Sequence, residues 1–360
     1  MLRAFFLWGL LVATACAEEL RLIQFSDLHA GGPHYSQSAF QEACSLGLAL
    51  QPQAVVLTGD HGDNSYDREH FNQRLRRDLP LWKEALKNYP GEVFLALGND
   101  DFGHNYQSEP DDLRATAQTM QQTFGSRCYL NELGNGLSPS QLGGFRWITI
   151  NSQLFSPMNR TPQAADQAET SLQWLQATLN QGEGPVVLLS HIPPSWDLYL
   201  GKPGWHPEYL LRLAEILEEY PSQVIFLCGH LHRNHVQAMR PQRPIPILTC
   251  GALATKYGYQ PNWRDYLWQV EPGQGLTHLQ YRLHYPAHPE WTACYDLCPD
   301  RIQDFLDRLI GQWSFCRDYV RDIYGHHNQW ENWADKESIR EQVFREFWVD
   351  PKAVSPRSPD

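Results

Sequence analysis

Short apolar runs punctuate this chain at intervals: "RLIQFSDLH", "AVVLTGD", "VFLALGND", "RWITINS", "PVVLLSH", "QVIFLCGHLH" and "PIPILTCGA". Most are continuous rather than alternating, the pattern of strands buried on both faces of a sheet sandwich. Between them lie stretches with helical periodicity: Ser38 to Leu50, Phe71 to Asn88 with Pro80 as an interruption, Gln163 to Asn180, and Pro207 to Glu219. Strands alternating with helices predict an α/β architecture. Beyond Pro286 the pattern changes to two helices, Arg301 to Tyr324 and Lys336 to Phe347. Ile302, Phe305, Leu306 and Leu309 are spaced along the first for one buried face.

The runs share a way of ending. The first stops at Asp27-Leu28-His29, the second at Gly59-Asp60, the third at Gly98-Asn99, the fifth at Ser190-His191 and the sixth at Gly229-His230-Leu231-His232. Open α/β sheets bind ligands outside the carboxyl ends of their strands, so Asp27, His29, Asp60, Asn99, His191, His230 and His232 are expected at one edge. Imidazole and carboxylate donors suit Zn, Fe, Mn and similar divalent ions. Seven donors exceed what one ion uses while keeping a place for water, so two ions sharing a bridging carboxylate fit better. Two metals about 3.5 to 4 Å apart form a clamp for in-line attack on phosphorus. Singly, each element has an ordinary reading: Asp-x-His or Gly-Asp after a strand is usually a turn or helix cap. Their common order and strand-end placement carry the argument. No cysteine joins the set, against a structural thiolate zinc site.

Composition bounds the class. Hydrophobic residues make up 42% and aromatics 12% of the 360 residues, enough for a substantial core. The formal charge of -12 opposes a nucleic-acid partner, because phosphate backbones need a basic face. The first 17 residues carry one charge at Arg3, an apolar run from Phe5 to Ala13 and Ala15-Cys16-Ala17 before the chain turns polar. This reads as a signal peptide and predicts a secreted or periplasmic protein. Ala13-Thr14-Ala15-Cys16 also resembles a lipoprotein cleavage site, under which Cys16 would bear a lipid anchor. No later segment approaches the roughly 20 apolar residues of a membrane span. Seven cysteines follow the expected cleavage site. Some should pair outside the cytoplasm, whereas Cys228 and Cys250, inside apolar runs, read as buried thiols. Residues 351–360 are too polar and proline-rich to order, and Asn159-Arg160-Thr161 matches a glycosylation sequon.

The series D-x-H, G-D, G-N-[HN]-[DE], H and G-H-x-H, followed in order from Asp27 to His232, resembles the calcineurin-like metallophosphoesterase superfamily. "SHIPPS", "GALATKYGYQPNWRDYLW" and the cysteine-bearing tail are similar to its acid sphingomyelinase-like phosphodiesterase and endopolyphosphatase branch, and no saposin-like domain is expected ahead of Glu19. The resemblance implies a two-sheet β-sandwich flanked by helices over residues 18–285, followed by a small helical subdomain over 286–350. It further implies that Asp27, His29 and His232 hold one divalent ion and Asn99, His191 and His230 another. Asp60 would bridge them, with a metal-bridging hydroxide attacking a small phosphorylated substrate or polyphosphate.

Two departures matter. Many members carry histidine after Gly-Asn, where this chain has Asp100. The sphingomyelinase branch carries another four residues after the Gly-Asp aspartate, where this chain has Asn64. An unperturbed aspartate titrates near about 3.9 against about 6.5 for histidine, so Asp100 is a weak proton donor at neutrality, and His61 and His104 are the nearby alternatives. Phosphoanhydrides and activated esters, whose leaving groups need little protonation, are therefore expected to be better substrates than alkyl diesters. A metal-loaded phospho-ligand-binding protein and a phosphomonoesterase are the competing readings. Lys202, Lys256, Arg233 and Arg264 are candidate phosphate contacts. Trp196, Tyr199, Trp205, Tyr257 and Tyr259 are candidate cleft-lining aromatics.

Overall fold

The computed structural model describes residues 18–63, 79–102, 106–107, parts of 115–124, 140–197, 202–240, 243–255, 259–271, 275–323, 343 and 347–351. The expected leader, Asn64, His104, Tyr199, Lys256, Tyr257 and nearly all of the second C-terminal helix lie outside them.

Among the described residues the apolar runs build two facing sheets. The first carries β1 (Glu18–Phe25), β2 (Ala54–Leu57) and β3 (Glu92–Leu95), mutually parallel. It continues antiparallel from β1 through β12 (Trp263–Glu271) and β13 (Gly275–His284) to β14 (Ala293–Leu297). In the second, β5 (Phe145–Thr149), β6 (Val186–Leu189), β9 (Val224–Cys228) and β11 (Ile245–Thr249) run parallel. Its edges are β4 (Ser140–Leu142) on one side and β10 (His235–Met239) with β15 (Trp348–Val349) on the other. A small hairpin pairs β7 (Trp196–Asp197) with β8 (Lys202–Pro203).

The continuous runs are explained by burial on both faces. Along β6, Val187 and Leu189 face the core between the sheets, while Val186 and Leu188 face a second core under α2 (Ala164–Asn180) and α3 (Pro207–Glu219). Along β2, Ala54 and Val56 join the inter-sheet core, and Val55 and Leu57 pack with α1 (Gln37–Ala49) and Trp82. Strand side chains alternate by necessity, so a four-layer helix–sheet–sheet–helix stack demands an apolar residue at every position. Phe94 stacks on Trp147 at 4.2 Å and Trp147 on Trp268 at 5.9 Å, tying the sheets through the middle.

The C-terminal segment departs from expectation. The single helix anticipated over 301–324 is two, α4 (Ile302–Gly311) and α5 (Trp313–Ile323), broken after Gly311, a residue that weakens helices. Nor is the segment purely helical, since it supplies β14 and β15 as sheet edges. The expected stripe of Ile302, Phe305, Leu306 and Leu309 is buried, and it joins the inter-sheet core itself. Cys44, Cys228, Cys250, Cys294 and Cys298 are free thiols, Cys228 and Cys250 buried as expected. Cys128 and the side chain of Cys316 lie outside the described residues. Cys294 faces solvent on β14 and Cys298 Sγ donates to the Thr277 carbonyl, so the anticipated disulfides are not formed among the described cysteines.

Candidate metal centre

β1, β2 and β3 end at the same edge of one sheet as β6 and β9 do in the other, and five turns meet there. Backbone bonds knit them: Asp27 N donates to Gly59 O at 3.0 Å, His29 N to Asp60 O at 3.0 Å, and Gly229 N to His191 O at 3.0 Å. The turns are sharp. Asp27, His29, Asp60, His230 and His232 all have positive φ, between 47° and 73°. Each such residue costs roughly 1–2 kcal/mol relative to ordinary backbone, a strain the surrounding hydrogen bonds must hold. Close approach also needs glycine: a Cβ on Gly98 would sit 2.1 Å from Asp60 Oδ1, and one on Gly229 1.9 Å from Ser26 Oγ.

The side chains converge in a buried cluster. His29 Nε2 lies 3.1 Å from His232 Nε2 and 3.6 Å from Asp60 Oδ2. His232 Nε2 is 3.2 Å from Asp27 Oδ1. On the other side His191 Nε2 is 3.3 Å from Asp60 Oδ2 and 3.1 Å from Asn99 Oδ1. The His230 ring meets that of His191 edge-on at 5.1 Å. Donor atoms from Asp27, His29, Asp60 and His232 all fall within 4.8 Å of one another. Ligands about 2.1 Å from an ion stand about 3.0–3.4 Å apart in octahedral or tetrahedral arrangement, and the observed spacings match. Asp60 Oδ2 reaches both histidine groups, the place a bridging carboxylate must occupy.

Electrostatics agree with a cation site. Burial pushes the His191 imidazole down, but the Asp60 carboxylate more than offsets this and raises its pKa to about 10. Its Nδ1 donates to Thr58 O at 2.7 Å, leaving Nε2 turned toward Asp60 and Asn99. Without an ion, a proton therefore takes the place among these donors. Burial would raise Asp27, yet the neighbouring His232 brings it to about 2. Asp60 is likewise held below the usual carboxylate range, by His191 and His29 against its burial.

A family model described as calcineurin-like phosphoesterase matches residues 20–234. The chain belongs to the calcineurin-like phosphoesterase family. Sphingomyelin phosphodiesterase 2 of Caenorhabditis elegans is 23% identical over 336 residues, covering 78% of this chain and 52% of that protein, so the chain spans about half the length of this curated relative. Among solved structures, a dimetal phosphatase from Danio rerio aligns with TM-score 0.54 and 15% identity over 78% of this chain and 99% of that one. GAP50, the anchor in the inner membrane complex of Plasmodium, aligns with TM-score 0.51 and 12% identity over 95% of this chain and 99% of that one. At these identities the likeness is one of fold.

Within this calcineurin-like frame, the seven expected ligand residues are brought together. The expected proton donors are not placed alike. Asp100 is buried with Oδ2 3.1 Å from His29 Nδ1 and Oδ1 accepting from Asn99 Nδ2 at 3.1 Å. His61 is buried against Trp82, ring edge to ring, and its Nε2 donates to Ala96 O at 3.0 Å. Asp100 thus contacts two ligand residues and His61 holds the Ala96 carbonyl through Nε2 while its buried Nδ1 has no hydrogen-bond partner among the described residues; His104 lies outside the described residues. Arg264 is also no phosphate contact. It is fully buried, donating to Asn234 Oδ1 at 3.0 Å and lying over the Tyr281 ring at 4.6 Å. Lys202 donates to Met158 Sδ, and Trp205 is buried against Phe155. Arg233 donates to the Tyr259 hydroxyl at 2.6 Å, and Trp196 is exposed.

Sequence reasoning missed the roles of two neighbours. Asp101 accepts from the backbone N–H of Gly98 at 2.7 Å, Asp60 at 2.9 Å, His61 at 2.8 Å and Gly62 at 3.3 Å, clamping the β2 and β3 turns together. Tyr106, which was not singled out, has φ 60° and places its hydroxyl 3.4 Å from His230 Nε2. No local pattern marks an aromatic seven residues beyond Asn99 as a partner of a histidine in another turn.

Proposed function

We propose that this chain is a two-metal hydrolase of phosphoric esters and anhydrides, acting best on substrates with stable leaving groups. The observation that carries the reading is the convergence of Asp27, His29, Asp60, Asn99, His191 and His232 at polyhedral spacings about the Asp60 carboxylate, with the His230 ring against that of His191. Asp27, His29 and His232 would hold one ion, Asn99, His191 and His230 the other. The donor set suits the Zn, Fe and Mn class. When bound, such ions supply Lewis acidity at phosphoryl oxygens and acidify water.

The chain's own residues do the positioning. Thr58 O holds the His191 Nδ1 proton, so Nε2 is the donor atom presented. The His230 backbone N–H donates to Asp27 Oδ2 at 3.0 Å, leaving Oδ1 directed at His232. Such outer partners fix ligand orientation and basicity.

The leaving-group preference rests on Asp100 standing where a histidine donor is usual, in contact with His29 and Asn99, and on His61 packing under Trp82 with Nε2 on the Ala96 carbonyl. An alkoxide, whose conjugate acid is nearly as weak as water at about 15.7, needs a proton donor. A phosphate leaving group, with a second pKa of about 6, barely does. Polyphosphate and nucleotides are thus favoured over alkyl diesters. The likeness to the nematode sphingomyelin phosphodiesterase favours a second reading, a phosphodiesterase acting on that kind of headgroup. A metal-reconstituted panel of polyphosphate, ATP, bis-nitrophenyl phosphate, nitrophenyl phosphate and sphingomyelin separates them: sphingomyelin turned over faster than the anhydrides would reject the first. We also infer export behind the leader at residues 1–17, which intact mass of the protein from its host checks directly.

A further inference from the structure

The aspartate standing where many relatives have histidine is engaged with three of the ligand residues at once. Its backbone N–H donates to Asp60 Oδ1 at 2.8 Å, leaving Oδ2 of that carboxylate for the cluster. Its Oδ1 accepts from Asn99 Nδ2, which turns the amide oxygen of Asn99 toward His191 Nε2 at 3.1 Å. Its Oδ2 lies at ion-pair distance from His29 Nδ1, on the ring edge facing away from His232. The side chain is 4% exposed.

We propose that Asp100 is a positioning residue that braces one ligand of each ion position, His29 for the first and Asn99 for the second, through the two oxygens of a single carboxylate. This rests on the two-metal reading above and deepens it. Each oxygen has a distinct task. An asparagine amide can meet a cation through its oxygen only, and an acceptor at Nδ2 is what excludes the flipped orientation. A histidine can offer Nε2 as a lone pair only if its proton sits on Nδ1, and a carboxylate 3.1 Å from Nδ1 favours that tautomer by its charge, as an ion-pair contact rather than an aligned hydrogen bond. Histidine at position 100 has no pair of acceptor atoms with which to replace both contacts. The substitution therefore trades a proton donor for a ligand brace, rather than simply deleting a catalytic group.

The test is metal affinity, read independently of turnover. Chelator-stripped wild type, Asp100→Asn, Asp100→Ala, Asp100→His and Asp60→Asn are titrated with Zn²⁺ and Mn²⁺ against a chromophoric chelator. Bound ions are counted by elemental mass spectrometry and folding is followed by circular dichroism. Loss of an outer partner typically weakens metal binding about 10- to 100-fold. Asp100→Ala and Asp100→His are expected to lose that much at both ion positions. Asp100→Asn, isosteric and able to accept at one atom only, should lose it chiefly at one, and it decides the matter if the other variants do not fold. Wild-type affinity at both positions in Asp100→Asn and Asp100→Ala, with ions lost in Asp60→Asn, overturns the proposal alone. A wild type that takes up no ion, or an Asp60→Asn protein indistinguishable from it, overturns the two-metal reading and the proposal with it.

Discussion

The proton held between His191 and Asp60 makes the metal-free protein pH-sensitive in an unusual direction. His191 is fully buried with its pKa raised to about 10, against an ordinary value of 6.5. A raised folded-state pKa contributes stability that is complete below the unfolded value and lost as pH rises through the folded one. The window is therefore about 6.5 to 10, and each pH unit within it is worth up to about 1.4 kcal/mol. The whole span amounts to something on the order of 5 kcal/mol, comparable with the roughly 3–5 kcal/mol for removing one member of a buried ion pair. Urea unfolding of the chelator-stripped protein at intervals from pH 6 to 10 measures the loss. Because a chain of net charge -12 also repels itself more as pH rises, the relevant quantity is wild type minus His191→Gln. That difference should shrink steadily across the window. An ion should reverse the sign by displacing the proton, so that uptake at pH 8 releases about one proton and tightens with pH. Parallel dependence of stability on pH in the two proteins would show that no such proton is held at His191.

Three further expectations follow from packing. Gly98→Ala would drive a methyl group to 2.1 Å from Asp60 Oδ1, so it should abolish metal uptake at the shared carboxylate while leaving most secondary structure intact by circular dichroism. Asp101→Asn turns an amide NH₂ toward N–H donors that now meet a carboxylate; denaturant unfolding should show a loss of about 3 kcal/mol or more. Deleting residues 286–360 removes β14 and the α4 stripe from the inter-sheet core, so the remainder should be recovered insoluble or unfolded rather than as an independent catalytic unit.

Much of the parallel architecture was legible because both faces of those strands are buried. Every position of β2, β6 and β9 is apolar, and the polar residue that ends each run is the one the site uses. β12 and β13 were hidden for the opposite reason. Arg264 and Asp265 interrupt β12 with charge, although both are buried: Arg264 by Asn234 and the tyrosines, Asp265 by Arg282 at 2.7 Å. Long-range partners of that kind leave no periodic trace. The ligand residues were readable by type and order, but their supporting shell was not. Nothing in "GNDD" distinguishes the carboxylate that braces ligands from the one that ties turns together; the difference lies in which strand end each faces. The same limit explains His61, whose place beside the Gly-Asp turn suggested chemistry while its ring packs into the core under Trp82.

In the proposed mechanism the single carboxylate of Asp60 organises two ions for hydrolysis at phosphorus. The decisive measurement is metal content together with turnover in wild type and Asp60→Asn, with polyphosphate and bis-nitrophenyl phosphate as substrates. Two ions per wild-type chain with turnover are expected, and loss of both turnover and at least one ion in Asp60→Asn. Undiminished hydrolysis by Asp60→Asn, or turnover that survives complete removal of metal, would rule out a shared-carboxylate metal centre.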